Sequence, residues 1–285
     1  MNKIAFITSS EDPNLTRDDL LTKPYLLQNG YQLEPVIWDQ NPQNLNDYSA
    51  LVFRSCWNYH VKFSEFQNWL KSLNSLTVPI FNSLEISEWN LHKRYLLELQ
   101  NKGVSVSYTQ LIAQADLNPL LDTFFKNQKQ IVIKPAISLN GHETYLVEMA
   151  DVFECKTRIA QVQKSGDVLV QEYLPEIKET GEYSFIFFNG QFSHAVQKLA
   201  KNGEFRIHIE HGGRRVAYHP SADEIKQAEA IVAMILENLL SVRVDGVLRH
   251  GKLILIELEI IDPSLFLEND PQSAKRFTEA LLHNL

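Results

Sequence analysis

Short apolar runs alternate with amphipathic stretches over the first eighty or so residues. Residues 3–8, 32–38, 50–54 and 78–81 read as strands. Residues 16–29 read as a helix running from a threonine cap to Gly30. Phe63, Phe66, Trp69, Leu70 and Leu73 share one face of a second helix over 63–73. Alternation of this kind predicts a parallel sheet with ligands beyond the carboxyl ends of its strands. Arg54, Trp57 and Tyr59, in the run RSCWNY, follow such an end. A planar guanidinium there suits a substrate carboxylate, with the two rings as pocket walls. The alternative is a packed tryptophan and a surface arginine.

The pattern then changes. Residues 85–102 read as one helix carrying Trp89, Asn90 and Lys93, and 117–127 as a helix of a small lid-like α/β unit that continues to Pro175. Residues 131–133 form a short buried strand followed directly by Lys134, a polar loop, Ser138-Leu139-Asn140-Gly141-His142, and a further strand over 144–147. Residues 168–177 are a strand closing on Gln171, Glu172, Tyr173 and Leu174. Residues 181–198 are a hairpin turning at Asn189-Gly190, with Glu182, Ser184 and Lys198 placed to line a groove. Arg206 and His208 alternate on a strand over 204–215 that leads into Gly212-Gly213. Residues 222–240 read as a long helix with an apolar stripe, and 277–282 as a short terminal one.

The richest chemistry lies in RVDGVLRHGKLILIELEIIDPSLF, residues 243–266. Glu257 and Glu259 are two apart in a strand, so they face one way, and two such carboxylates repel unless a cation lies between them. A hairpin at 249–252 would bring Asp245 to the same edge. Hard oxygen donors so gathered suit Mg²⁺, which takes one or two carboxylates plus substrate phosphates. A half-exposed acidic strand face is the bland reading. Lys134 beside a loop rich in N–H groups can hold phosphate oxygens, although neither GxxxxGK[ST] nor GxGxxG occurs.

The order of these motifs resembles the ATP-grasp superfamily: lysine, glycine-bearing loop, strand ending Gln-Glu-Tyr-Leu-Pro, hairpin with Gly-Glu-x-Ser, arginine strand, Gly-Gly, then Asp and Glu-x-Glu. Within it the chain looks most like the glutathione-synthetase-like branch, and RSCWNY, VIKPAISLNG and ELEIIDPSLF resemble the group containing the cyclo-ligase of D-cycloserine biosynthesis. The resemblance implies an N-terminal parallel α/β substrate domain (1–88) and an ATP-grasp domain (89–285), the latter with a lid at about 106–173 and a C-terminal antiparallel sheet. It implies ATP and Mg²⁺ as cofactors. Lys93, Lys134, Ser138, Gly141, Gln171, Glu172, Tyr173, Leu174 and Glu182 would serve the nucleotide, and Asp245, Glu257 and Glu259 the metal. Arg206 and Lys198 would be catalytic, and Arg54, Trp57, Tyr59, His208, Gly212 and Gly213 would meet the substrate. The family often ends its metal set in Glu-x-Asn, where this chain has Glu-x-Glu.

The implied reaction is activation of a small carboxylate as an acyl phosphate for attack by an amine. Alternatives are an intramolecular ring closure of the cycloserine type and a non-catalytic nucleotide-binding protein. Composition changes little. Of 285 residues, 27 are Lys or Arg and 35 Asp or Glu, a net charge of −8 that argues against a general nucleic-acid binder. Two distant cysteines give no disulfide framework, the first residues read as a strand rather than a leader, and no apolar run approaches a membrane span. A cytoplasmic enzyme without nucleic-acid or membrane partners is expected. A homodimer would match the habit of the family.

Overall fold

The computed structural model describes residues 1–112, 128–201 and 212–285. Its first unit is a parallel sheet in the order β2-β1-β3-β4, formed by β1 (Asn2–Thr8), β2 (Tyr31–Ile37), β3 (Ala50–Ser55) and β4 (Ile80–Phe81). The stretch expected as one helix over 16–29 is two, α1 (Arg17–Leu20) and α2 (Lys23–Gln28). Thr16 caps α1 by accepting from the Asp19 N–H. Pro24 stands in the first turn of α2, where its missing donor is tolerated but from which no ladder can run back into α1. Helix α3 (Phe63–Leu73) buries Phe66, Leu70 and Leu73 as its periodicity predicts.

The expected helix over 85–102 also divides, into α4 (Leu84–Leu91) and α5 (Tyr95–Asn101). The break falls at Lys93, whose backbone N–H donates across to Ala136 O at 2.8 Å instead of continuing the helical ladder. A second, antiparallel sheet runs in the order β5-β8-β6-β7, from β5 (Thr109–Ile112), β6 (Gln130–Pro135), β7 (Tyr145–Glu148) and β8 (Val168–Glu172). Helix α6 (Val152–Val162) covers one face, packing Cys155, Ile159 and Val162 on Ile131, Ile133 and Val170. The helix expected over 117–127 lies outside the described residues.

After a short turn of helix, α7 (Glu176–Glu179), the third sheet runs antiparallel in the order β11-β10-β9-β12-β13. Its strands are β9 (Glu182–Phe188), β10 (Gln191–Leu199), β11 (Arg214–Tyr218), β12 (Ser241–Arg249) and β13 (Lys252–Glu259). Asn189-Gly190 and His250-Gly251 turn the two hairpins, with positive φ at all four residues as tight hairpin turns of this hand require. Helix α8 (Ala222–Val232) opens on a capping box between Ser221 and Glu224 but stops short of the expected residue 240. The stripe carries on past its end, since Ile235 and Leu239 still reach the core while Leu236 is 98% exposed. Helix α9 (Ser273–His283) closes the chain and packs Phe277 against Phe6 and Phe188.

The third sheet therefore has core on both faces. One face packs with α5 and α8, the other with α9 and the first sheet. Ser107 N donates to Leu255 O and Leu255 N to Ser105 O, both at 2.8 Å, which ties the entry of β5 to β13 and brings the second sheet over the third. Among the described residues no helix is long and apolar enough to cross a membrane.

Candidate active site

The second and third sheets and the turn after β3 enclose a cavity of about 390 Å³. On its floor, Glu257 and Glu259 project together from β13, and the strand register sets Asp245 opposite Glu257 and Arg243 opposite Glu259. Ser184 stands opposite Asp245 on β9, and Glu182 opposite Lys198 between β9 and β10. The polar groups form one connected network. Asp245 accepts from Ser184 Oγ at 2.6 Å, from Lys198 Nζ at 2.9 Å and from Arg243 Nε and Nη2 at 3.0 and 2.8 Å. Lys198 also pairs with Glu182 at 2.5 Å, and Arg243 with Glu259. The Arg243 guanidinium donates from Nη1 to Ser264 O at 2.9 Å and lies over the Phe266 ring, 4.9 Å from its centroid.

These neighbours set the charges. Burial would raise Asp245, but the charges of Arg243 and Lys198 outweigh it and hold the carboxyl well below its ordinary range. Burial would lower Lys198, and Asp245 and Glu182 reverse that and raise it. For Glu259, burial dominates: Arg243 offsets part of it, Asp245 and Glu257 add repulsion, and the pKa is pushed up to about 8. Glu257 is lowered, because Lys93 and Lys134 outweigh its burial.

The roof comes from the end of β6 and the loop after it. Lys93, placed by the break between α4 and α5, donates from Nζ to Ser138 O at 2.7 Å and pairs with Glu257 at 2.9 Å. Lys134 is 8% exposed, and its ammonium group makes no hydrogen bond or ion pair among the described residues. Burial pulls its pKa down to about 8, with Glu257 holding against the fall. Ser138 and Gly141 line the cavity, and Asn140 and Gly141 both take positive φ in the loop. The outer wall is the end of β8, where Gln171, Glu172, Tyr173 and Leu174 all face the space. The Glu172 N–H is committed to Tyr108 O at 2.9 Å.

Not every expected site residue is here. Arg54 is 2% exposed; its Nε donates to Asp19 Oδ1 at 2.7 Å and its Nη1 to Pro263 O at 3.1 Å, so it is a buried strut and not a substrate clamp. Trp57 does line the cavity. Tyr59 does not, because its ring stacks on Phe66 at 5.0 Å in the core of the first unit, touching only a small side pocket. Gly212 and Gly213 are not among the described lining residues, and Gly212 turns against the Lys201 side chain with φ +81°. Arg206 and His208 lie outside the described residues. The expected metal set also changes. Among the described residues no three Asp, Glu, His or Cys side chains converge as a metal cluster, because the oxygens of Asp245 are taken by Ser184, Lys198 and Arg243. Glu257 and Glu259 remain as hard donors on the cavity floor, and the burial that raises Glu259 is a cost that a bound cation would offset.

Arg243, Arg215 and Asp262 line the cavity and were missed. The signal for Arg243 was available, since it stands two before Asp245 on β12, the same spacing that joined Glu257 to Glu259.

Comparison with known proteins agrees with this geometry. Residues 101–269 match the model of the prokaryotic glutathione synthetase ATP-grasp domain. The chain belongs to the ATP-grasp family. It is an ATP-grasp ligase, of the ADP-forming carbon–nitrogen class. Residues 4–82 match the N-terminal domain of the D-cycloserine synthetase DcsG. The cycloserine biosynthesis protein DcsG of Streptomyces lavendulae is 26% identical over 271 residues, 90% of each chain. The glutathione synthetase of Prochlorococcus marinus subsp. pastoris (strain CCMP1986 / NIES-2087 / MED4) is 22% identical over 291 residues, 91% of this chain and 92% of that one. Among solved structures, D-cycloserine synthetase DcsG superposes with a TM-score of 0.89 at 23% identity, covering 99% of both chains. A D-alanine–D-alanine ligase from Bacillus anthracis complexed with ATP superposes at 0.70, with 15% identity and 99% and 95% coverage. At such identities these structures show the shared ATP-grasp fold.

Proposed function

We propose that this ligase uses Mg·ATP to activate a small-molecule carboxylate as an acyl phosphate, which an amine then attacks to form a C–N bond. The observation that carries the reading is Lys134, a buried cation with no partner among the described residues, aimed into a cavity whose floor holds Glu257 and Glu259. Phosphoryl transfer calls mainly for positioning and charge neutralisation. Lys93 and Lys134 would hold phosphate oxygens from the roof, and Lys198 and Arg243 would steady the charge that develops at the acyl centre from the floor. The end of β8 would flank the adenine. Glu257 and Glu259 would hold Mg²⁺, which when bound neutralises phosphate charge. On this reading the chain acts on small-molecule substrates.

A second reading, intramolecular ring closure, is supported by the match of residues 4–82 to the DcsG N-terminal domain and by the DcsG relative. An ADP-release screen against amino acids and small carboxylates, with product masses read out, separates the two: the first needs a second amine in the assay and the second does not. The nucleotide assignment is tested by calorimetry with a non-hydrolysable ATP analogue. Lys134→Ala should weaken binding at least about tenfold, the loss of one charged contact at 1.4 kcal/mol per decade. Unchanged affinity would refute the assignment.

A further inference from the structure

Asp262 is the acidic group of the cavity that the ion-pair network leaves out. It follows β13, is 6% exposed, and its Oδ2 has no hydrogen-bond partner among the described residues. It lines the main cavity and also a side pocket of about 20 Å³ shared with Tyr59, Asn90 and Lys93. Its backbone is fixed from the first unit. The Trp57 indole N–H donates to Asp262 O at 3.1 Å, and Arg54 Nη1 donates to the next carbonyl, Pro263 O, at 3.1 Å. Both nearby guanidinium groups give their N–H groups elsewhere, Arg54 to Asp19 and Pro263 and Arg243 to Asp245, Glu259 and Ser264. Burial therefore prevails over the charge of Arg54 and pushes the Asp262 pKa up to about 7, as happens to a buried carboxylate short of its counter-ion.

A buried carboxylate oxygen with no donor, held rigid at a cavity wall, is a seat for a ligand that brings its own N–H and positive charge. The side pocket behind it has room for about one water, which limits the visiting group to a small one. Trp57, which lines the same cavity, offers a ring to a cation. We propose that Asp262 is the subsite for a primary ammonium group, the amine end of the acceptor substrate. The inference rests on the ligase reading and adds to it the place where the amine binds: the turn after β13 that Trp57 and Arg54 of the first unit hold. Arg54 then has an indirect part, as a positioning residue that holds the Pro263 carbonyl and with it the backbone of the Asp262 turn.

The test uses the full chain labelled with ¹³C at aspartate carboxyl carbons, with the Asp262 signal identified by its loss in Asp262→Asn, or in Asp262→Ser if the first variant does not fold. Methylammonium chloride is the probe and tetramethylammonium chloride, which has no N–H, the control. The expected result is a saturable shift of the Asp262 signal with methylammonium alone, with a dissociation constant on the order of 10 mM, which is about the limit for two non-hydrogen atoms. No shift, or equal shifts with both cations, overturns the subsite. So does a shift produced by MgCl₂ that methylammonium fails to reproduce. Calorimetry of the non-hydrolysable ATP analogue on the same wild-type sample reports separately on the ligase reading. A wild type that takes up methylammonium at Asp262 and no nucleotide would sink that reading while leaving the subsite.

Discussion

Replacing Arg54 by alanine separates a strut from a substrate clamp. The guanidinium and the Asp19 carboxylate are 2% and 1% exposed and 2.7 Å apart, so the pair is dry on both sides. Taking away one member of such a pair leaves the other charge buried and uncompensated, at a cost of about 3–5 kcal/mol. The variant also loses the bond to Pro263 O and the packing of the guanidinium over Phe277, 5.5 Å from the ring centroid. At about 2 °C per kcal/mol for a chain of this size, the melting temperature should fall by roughly 6–10 °C. Arg54→Leu combined with Asp19→Leu removes both charges and should recover most of that loss, because apolar replacement of a whole buried pair is close to neutral. The assay is thermal unfolding of wild type, both single variants and the double. A drop of less than about 2 °C for Arg54→Ala, accompanied by a sharp rise in the KM of the carboxylate substrate, would show that the pair is dispensable and that Arg54 serves the ligand.

Two further outcomes follow from the site and its surroundings. Glu257→Gln removes a hard donor and the partner of Lys93. The Mg²⁺ concentration for half-maximal turnover should rise about 10–100-fold or more, while the fold survives; wild-type Mg²⁺ dependence would reduce Glu257 to a lysine counter-ion. His194 gives the pH response: its Nε2–H donates to Leu265 O at 2.9 Å and its Nδ1 faces Ser193 Oγ at 2.9 Å, so it is held as the neutral imidazole. Burial lowers its pKa to about 4 from its ordinary value of 6.5. Stability from this group is therefore complete above pH about 6.5 and is lost as pH falls toward 4, by about 3 kcal/mol in all. Unfolding measured across that window should show wild type losing stability relative to His194→Asn as pH falls; parallel pH profiles would rule the histidine out.

What could be read from the chain alone divides by the range of the contacts involved. The parallel sheet of the first unit, the turns at Asn189-Gly190 and His250-Gly251, and the shared face of Glu257 and Glu259 are local matters of period and turn chemistry, and they stand in the structure. The reach of Arg54 is not local. Its partners are 35 and 209 residues away in the chain, and no spacing rule reports an aspartate on α1 or a carbonyl after β13. The division of the 85–102 helix has the same cause, since the acceptor that claims the Lys93 N–H is Ala136, just past the end of β6 and more than forty residues on. Asp262 was overlooked because an aspartate before a proline reads as a turn. Only burial and an unpartnered oxygen give it chemical meaning.

The pairing of nearly every acid in the cavity with a base has a consequence for which anions the enzyme will keep. Lys93 sits on Glu257, Lys198 on Asp245 and Glu182, and Arg243 on Asp245 and Glu259. These pairs neutralise one another, and beyond Lys134, which has no such pair among the described residues, an incoming anion gains little by attraction alone. To gain a further cation it must take a lysine from a carboxylate and leave that carboxylate something in exchange. A polyphosphate that arrives with its own divalent ion would complete the exchange, since Glu257 and Glu259 would hold the ion while the lysines met the phosphate oxygens. Bare phosphate, sulfate or an acidic peptide brings nothing to trade, and because the pairs are largely shielded from solvent, dissolved salt is a poor substitute. Selectivity for the metal-loaded nucleotide would then come from the mutual neutrality of the site's own charges, with abundant simple anions turned away.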